Sequence, residues 1–492
     1  MNSAEEIKAA FRAATDSDGF FDSPDVLNAY MTDNLFEPVE LPICGVKPKD
    51  TDEIIKAVRA ANDTLVDLIP CSSGPLRFRG DTAAPHGTPA VVVDLSGMKK
   101  ILRIDRRNKV AIIEPGVTFD ELQALARTHH MRALTPLLPR ATKSVIASYL
   151  EREPITIPKY HWDMTDPMLC VEVVFGTGDV FRTGGAAGPG SLGEQWAAGA
   201  SQKNPMGPAQ TDVLRILQGA QGTMGIVAWA SVKLELWPKL RKAYFIKSDN
   251  VEPLVETVYE MTRLRLGDEL LILNNFALAH VLGHAGAEII ESAKRQAPWT
   301  LFYCVSGYEY YPELRVEYQE NDIAEIAQEH GLEIHQEVPG LNALDMAATI
   351  DKPSEEPYWK QRYKGGCCEI FFLTTMDHMP TYLTVMEEKC QEFRFPSEHL
   401  GVYAQPVQHG RACHLEFLLP YDPVDPKETK RASNLFLAAS RALSDRGAFF
   451  SRPYGPWAEL AYSRCPDTVR AITKVKEIVD PKRILNRGRI CL

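Results

Sequence analysis

The stretch RILQGAQGTMGIVAWASVKLELWP, residues 215–238, constrains the fold more than any other. Glycine recurs at Gly219, Gly222 and Gly225, and the chain then runs at once into an apolar, β-branched segment. A helix interior would lose about 1 kcal/mol at each such glycine relative to alanine. The spacing therefore demands backbone that bends, or that lies very close to something else, just before a strand begins.

A second turn-rich segment, IPCSSGPLRFRGD, lies far upstream and also follows a short predicted strand. Small residues let backbone N–H groups converge on phosphate oxygens without side chains intervening. Neither loop is GxGxxG between a strand and a helix, nor GxxxxGK[ST], which disfavours both a Rossmann fold and a nucleotide-triphosphate fold. The pattern leaves a pair of small-residue bends that could share one anionic ligand.

The rest of the chain reads as ordinary globular protein. Its 492 residues allow two or three domains, and 45% hydrophobic with 24% charged residues argues against general disorder. A formal charge of −11 argues against a nucleic-acid surface. The start, MNSAEEIKAAFRAATDSDGF, has no apolar signal core, and no long apolar run follows, so no membrane insertion is expected and the cytoplasm is the expected location. The ten cysteines form no C-x-x-C pair and are scattered along the chain, which argues against an iron–sulfur or structural zinc framework and leaves free thiols, several of them in the core, as the expectation.

Periodicity predicts a helix over TDEIIKAVRAAN (51–62), strands in LVDLIP and AVVVDLS, a hairpin in KKILRIDRRNKVAIIEPG and a helix in TFDELQALARTHHM. PMLCVEVVFGTGDVFRTG reads as another hairpin, turning at Gly176 and Gly178. Beyond residue 240 helical segments (EPLVETVYEMTRLRL, AEIAQEHGLEIHQEV, PTYLTVMEEKCQEF) alternate with strands (LFYCVSGYEYY, CEIFFLTT, RACHLEFLLPY). The reading is α+β throughout, with an antiparallel sheet in the second domain. A helix through VRAITKVKEIVD closes the chain, with Lys474 and Lys476 expected on its solvated face.

The order IPCSSG…RGD, VVVDLSGMKKI, AIIEPGVTFDELQALA, VEVVFGTGDVFRTGG, QGAQGTMGIV and VDPKRILNRGRICL resembles the FAD-linked oxidases of the vanillyl-alcohol oxidase / p-cresol methylhydroxylase superfamily. The resemblance implies a two-subdomain FAD-binding domain over 1–239, an α+β cap (substrate) domain over 240–444 and a C-terminal segment, 445–492, returning to the FAD domain. It implies FAD held by Cys71, Ser72, Ser73, Gly74 and Pro75 in the first loop. In the second loop it implies Gly219, Gly222, Thr223, Gly225, Ile226 and Val227, and near the end Asn486. Pro75 stands where many members carry a flavin-linked histidine, so FAD is expected without a covalent link there.

Two branches of that family compete for the substrate. YLEREPITIPKYHWDMTDP is similar to a segment of para-phenol oxidases that carries an acid beside the flavin, and spacing makes Asp163 the match, with Tyr160 and His161 beside it. SRPYGPWAELAY is similar to their phenolate-holding Tyr–Arg pair, which points to Arg452 and Tyr454, with Trp457 as a wall. The 2-hydroxy-acid dehydrogenase branch ends in a similar DPKRILNRG, and some of its members bind a metal. HGRACH supplies His409 and His414, but RPYGPW replaces the glutamate such a site uses, so no metal is expected.

Residue chemistry adds roles to those positions. His409 or His414 has the ordinary pKa of a general base near neutrality, and Arg411 or Arg452 could grip a carboxylate or phenolate. Strict strand alternation puts His414 and Glu416 on one face and His409 with Arg411 on the other; the histidines meet only across a bulge at Gly410. The expected activity is oxidation of a small anionic or phenolic substrate, with para-substituted phenols or aryl alcohols slightly preferred. The alternatives are a glycolate/D-lactate-type dehydrogenase and an FAD-bearing electron-transfer subunit. Oxygen, a dye-like carrier or a redox protein could each be the acceptor, and the resemblance suggests a homodimer.

Overall fold

The computed structural model describes residues 3–31, 39–78, 84–85, 87–158, 167–205, 207 and 213–490. Three sheets organise them. The first runs Phe20–Phe21, Cys44–Val46, Ala90–Asp94, Asp67–Cys71, and its last three strands are parallel. The second is antiparallel: Val180–Arg182, Met168–Val174, Ile226–Leu236, Val110–Ile113, Ile101–Asp105, with Met131–Ala133 paired to the far end of Ile226–Leu236. The third holds seven antiparallel strands in the order Ile334–His335, Leu240–Ser248, Trp299–Gly307, Leu270–Asn274, Gly401–Val407, Ala412–Tyr421, Gly366–Thr374. Among the described residues no helix is long and apolar enough to cross a membrane.

Local chemistry sets the elements the sequence predicts. Asp50 caps the helix Thr51–Thr64 by accepting from the Glu53 N–H at 3.0 Å, and Ile54, Ala57, Val58 and Ala61 form its buried stripe. Thr118 and Glu121 close a capping box on Phe119–Thr128. The two predicted hairpins pair as antiparallel ladders. The predicted helix over 324–338 is a different case. Helix Pro312–Glu329 starts earlier and ends before Gly331, whose φ of +69° terminates it, and Ile334–His335 and Glu337–Val338 are strands.

The third sheet buries both faces. Helices Glu252–Arg263, Pro312–Glu329, Met379–Glu392 and Pro426–Asp445 cover one face, against Ile246, Leu301, Leu415 and Phe417. The other packs Phe245, Phe302 and Tyr403 against Trp359 and against Leu137 and Leu138 from the first half of the chain. Strand alternation therefore sends Cys413, Leu415 and Phe417 toward the helices, and His414 and Glu416 toward the first half. The two polar residues are placed between the halves by the pleat itself.

The C-terminal segment divides between the halves. Phe450, Tyr454 and Trp457 belong to the core of the third sheet, whereas Ile484 and Leu485 lie in the core beside the first. The Leu68 N–H donates to the Ile484 carbonyl at 2.7 Å, and the Asn486 N–H to the Leu68 carbonyl at 2.9 Å, so the tail adds to the edge strand Asp67–Cys71. Lys476 corrects the expectation of a solvated face. It is 1% exposed, and its ammonium donates to the Thr223 carbonyl, the Asp480 carboxylate and the Leu485 carbonyl. Helical periodicity missed this because the partners lie on other segments. Every described cysteine but Cys465 is a buried free thiol.

Candidate active site

The two small-residue loops meet around one cavity of about 1020 Å³. Pro70, Cys71, Ser72 and Ser73 line it from one side; Gly219, Gly222, Gly225, Ile226 and Val227 line it from the other, with Asn486 between. The three glycines answer the demand read from the sequence, but through protein contacts. A Cβ at Gly222, where φ is +75°, would stand 2.7 Å from the Pro70 side chain of the opposite loop. One at Gly225 would stand 2.4 Å from Val173, and one at Gly219, where φ is +70°, 2.6 Å from the Arg152 guanidinium. At Gly222 and Gly225 such separations exclude a side chain, and at Gly219 the positive φ disfavours one, so the glycines let the loops close on each other and on the sheet.

The first loop is pinned from outside the cavity. The Gly74 N–H donates to the Thr142 carbonyl at 3.0 Å, the Thr142 hydroxyl donates to the Pro75 carbonyl at 2.6 Å, and the Ser144 N–H donates to Ser73 Oγ at 3.1 Å. Gly74 and Pro75 are not among the lining residues, and Pro75 is exposed. Thr223 is buried away from the cavity, its hydroxyl donating to the Ala220 carbonyl. Asn486 does face the cavity. Its amide nitrogen donates to the Gln221 carbonyl at 2.6 Å, while its Oδ1 is buried with no hydrogen-bond partner among the described groups. Such an oxygen is costly to bury without a donor.

A second cavity, of about 640 Å³, adjoins the first, and Glu151 lines both. Arg452 lines the second and Tyr454 the first, so the turn 452–454 stands at the junction. Phe78, Tyr358, Trp359 and Tyr403 give the second cavity aromatic walls. Its charges come in two knots. Lys143 pairs with Glu151 at 2.8 Å and Glu153 at 3.5 Å; Lys360 pairs with Glu369 at 2.7 Å and with Glu416. Arg452 stacks on the Phe371 ring at 4.1 Å, and its Nη2 lies 3.4 Å from His414 Nδ1. The other ring nitrogen of His414 lies 3.0 Å from Glu416 Oε2.

Burial pushes the His414 pKa down to about 4, with Glu416 opposing and Arg452 adding to the fall, so the imidazole is neutral at neutral pH. Burial alone would raise Glu416, but the Lys360 ammonium and the hydrogen bond from His414 hold it below the usual carboxylate range. The sequence brought His414, Arg452 and Tyr454 to this place. His409 is elsewhere: it sits with φ +57° in the turn Gln408–Gly410, beside Arg265 and Arg411, where Gly410 packs on Thr262. That turn does not reset the strand phase, so the two histidines do not meet. Arg411 is exposed at the same turn and lines neither cavity.

Trp457 also leaves the site, packing between Phe371 and Phe450 with its N–H donating to Ser440 Oγ at 2.8 Å. Asp163, Tyr160 and His161 lie outside the described residues. Among the described residues no three His, Cys, Asp or Glu gather as a metal site would require. Sequence reasoning missed Glu151, Lys143, Lys360, Glu369 and, as a functional group, Glu416. Glu151 directly follows the helix Val145–Leu150, which lines the first cavity, and its place at a helix end, as the first residue of the EREP stretch, was the available signal. Lys360 had none.

Residues 42–184 match the family described as "FAD binding domain". The chain carries an FAD binding domain. The flavoprotein is 23% identical to the 4-cresol dehydrogenase [hydroxylating] flavoprotein subunit of Pseudomonas putida, over 97% of this chain and 94% of that one. It is 26% identical to glycolate oxidase subunit GlcD of Bacillus subtilis, a match that spans 53% of this chain and only 52% of the relative. Its fold is that of p-cresol methylhydroxylase: the crystal structure of that enzyme with substrate bound superposes with a TM-score of 0.84 at 20% identity, covering 99% of this chain and 96% of that one. The first cavity fits the cofactor on its own chemistry as well. Two braced small-residue loops leave backbone facing the space, and Asn486 offers an acceptor that lacks a donor.

Proposed function

We propose that this flavoprotein oxidises a small para-substituted phenol or aryl alcohol held in the 640 Å³ cavity beside the flavin chamber. FAD, when bound, supplies the hydride acceptor. The loops at 70–73 and 219–227, with Asn486, would hold it. The remaining tasks fall to side chains at the junction. Arg452 receives the phenolic oxygen, since a guanidinium stabilises the oxyanion that forms as the proton leaves. Glu151, which lines both cavities, takes a proton there, and Lys143 beside it stabilises the carboxylate. The aromatic walls exclude water and flank a ring.

One observation carries the phenol reading. The second cavity's described lining holds four acids, Glu151, Glu153, Glu369 and Glu416, against four bases, Arg140, Lys143, Lys360 and Arg452. With His414 neutral, the formal charges cancel. A neutral phenol enters such a space without an unbalanced charge, whereas a carboxylate adds one, and burying uncompensated charge is expensive. The second reading, oxidation of a 2-hydroxy acid, draws on the Arg452–His414 pair as anchor and base and on the likeness to a glycolate oxidase subunit. Anaerobic mixing with 4-cresol or vanillyl alcohol, and separately with D-lactate or glycolate, discriminates them by which bleaches the flavin. We expect bleaching by the phenolic compounds. Bleaching only by the hydroxy acids would reverse the assignment, and bleaching by neither would remove both.

A further inference from the structure

Lys360 lies in the turn Trp359–Gln361, remote in sequence from His414, Glu416 and Arg452. Its ammonium is bonded to Glu416 Oε1 and lies 2.7 Å from Glu369 Oε1, with the three side chains 7%, 5% and 11% exposed. The second Glu416 oxygen faces His414 Nε2 at 3.0 Å. An ionised carboxylate only accepts, so Nε2 carries the hydrogen. The opposite nitrogen, Nδ1, faces the Arg452 guanidinium at 3.4 Å, and arginine only donates. Both neighbours are satisfied by one form of the ring, neutral with hydrogen on Nε2. An imidazolium would turn an N–H against the guanidinium and push it away.

We propose that Lys360 is a positioning residue: by neutralising Glu416 it keeps His414 an acceptor for Arg452, and so holds the guanidinium at the junction of the two cavities. The inference rests on the reading of Arg452 as substrate anchor, but the proton on His414 can be observed without any substrate. The groups that face this imidazole are few. Arg452 and Glu416 bond it, and Lys360 acts through Glu416, with Glu369 and the Cys367 thiol next to the lysine. The rings of Phe371 and Tyr403 flank it at 5.7 and 5.8 Å, the Tyr403 hydroxyl being engaged with Gln405. Of these, only Glu416 draws a proton onto the ring, and Lys360 cancels that pull.

The test uses the FAD-loaded enzyme labelled with ¹⁵N-histidine, the His414 signals being assigned by their loss in His414→Gln. Wild type should show a neutral ring with hydrogen on Nε2 from about pH 5.5 to about pH 8, a window spanning the ordinary histidine value of about 6.5. Lys360→Met should show imidazolium at the acid end of that window, with KM for 4-cresol raised about tenfold there and recovering at the alkaline end, the size expected for one charge-assisted hydrogen bond. Lys360→Arg should restore the wild-type profile, as should the charge-balanced Lys360→Met/Glu416→Gln. An imidazolium in wild type would overturn the proposal. So would a neutral His414 in Lys360→Met, or equal impairment in Lys360→Met and Lys360→Arg. Should the single methionine variant not accumulate, the wild-type ring and the double variant still decide. Should 4-cresol not bleach the wild-type flavin, the phenol reading fails while the nitrogen signals continue to report on Lys360.

Discussion

Glu151 lines both cavities, and the proposed chemistry turns on it. Glu151→Gln keeps the shape and removes the base, so stopped-flow reduction by a phenolic substrate should slow by about 10²- to 10⁴-fold while the bound flavin spectrum is retained. Asp67 tests a different residue-level effect. Burial drives its pKa up to about 7, against which the half-exposed Arg487, 3.3 Å away, compensates only in part. An acid whose folded value exceeds its unfolded value of about 3.9 keeps its proton longer in the fold. It therefore favours the fold at low pH and costs stability increasingly between about 4 and about 7. Asp67→Asn should raise the melting temperature at about pH 8, by an amount worth a few kcal/mol, and lose that advantage near about pH 4. What the sequence revealed at this scale follows from locality. Ser72, Ser73 and the three glycines sit in contiguous loops, and His414 with Glu416 follows strand period. Lys143 and Glu151 meet across the two ends of one short helix that no spacing rule singles out, Glu416 and Lys360 meet only through the tertiary fold, and His409 was misplaced because a left-handed turn ends its strand.

At the scale of elements the prediction concerns the C-terminal helix Pro466–Val479. Its Lys476 links the second glycine loop, at the Thr223 carbonyl, to the tail that edges the first sheet, at the Leu485 carbonyl 3.0 Å away. Breaking a buried charged pair by removing one partner costs about 3–5 kcal/mol. Lys476→Met should therefore yield protein with less FAD per chain and a lower melting temperature, both read on the purified protein. Unchanged flavin content would show that the helix plays no part in holding the loop. Most elements were legible because apolar spacing and caps are local signals, as in Thr51–Thr64 and the hairpin 168–182. The segment 324–338 was not, because one glycine in a left-handed conformation outweighs apolar residues at helical spacing.

Across the molecule, the halves are joined by a buried ion cluster. Arg132, from the second sheet, bonds Asp268 and Glu269 of the third-sheet half, and Arg241 adds a contact of 3.1 Å to Glu269 and one of 2.7 Å to Asp351. Arg132→Met takes the guanidinium from Asp268, which keeps the Tyr308 hydroxyl, and from Glu269, which keeps Arg241, so it should lower unfolding free energy by about 3–5 kcal/mol and separate the two halves into distinct calorimetric transitions. A single undisplaced transition would count against the cluster as the joint. The glycine contacts carry a last consequence. Because Gly222 leans on Pro70 and Gly225 on Val173, the hollow is cast before anything is poured into it. Stripped protein should regain its yellow colour in one phase whose rate rises in proportion to added FAD. A vessel moulded around its contents would instead show a slow step that no excess of FAD can hurry.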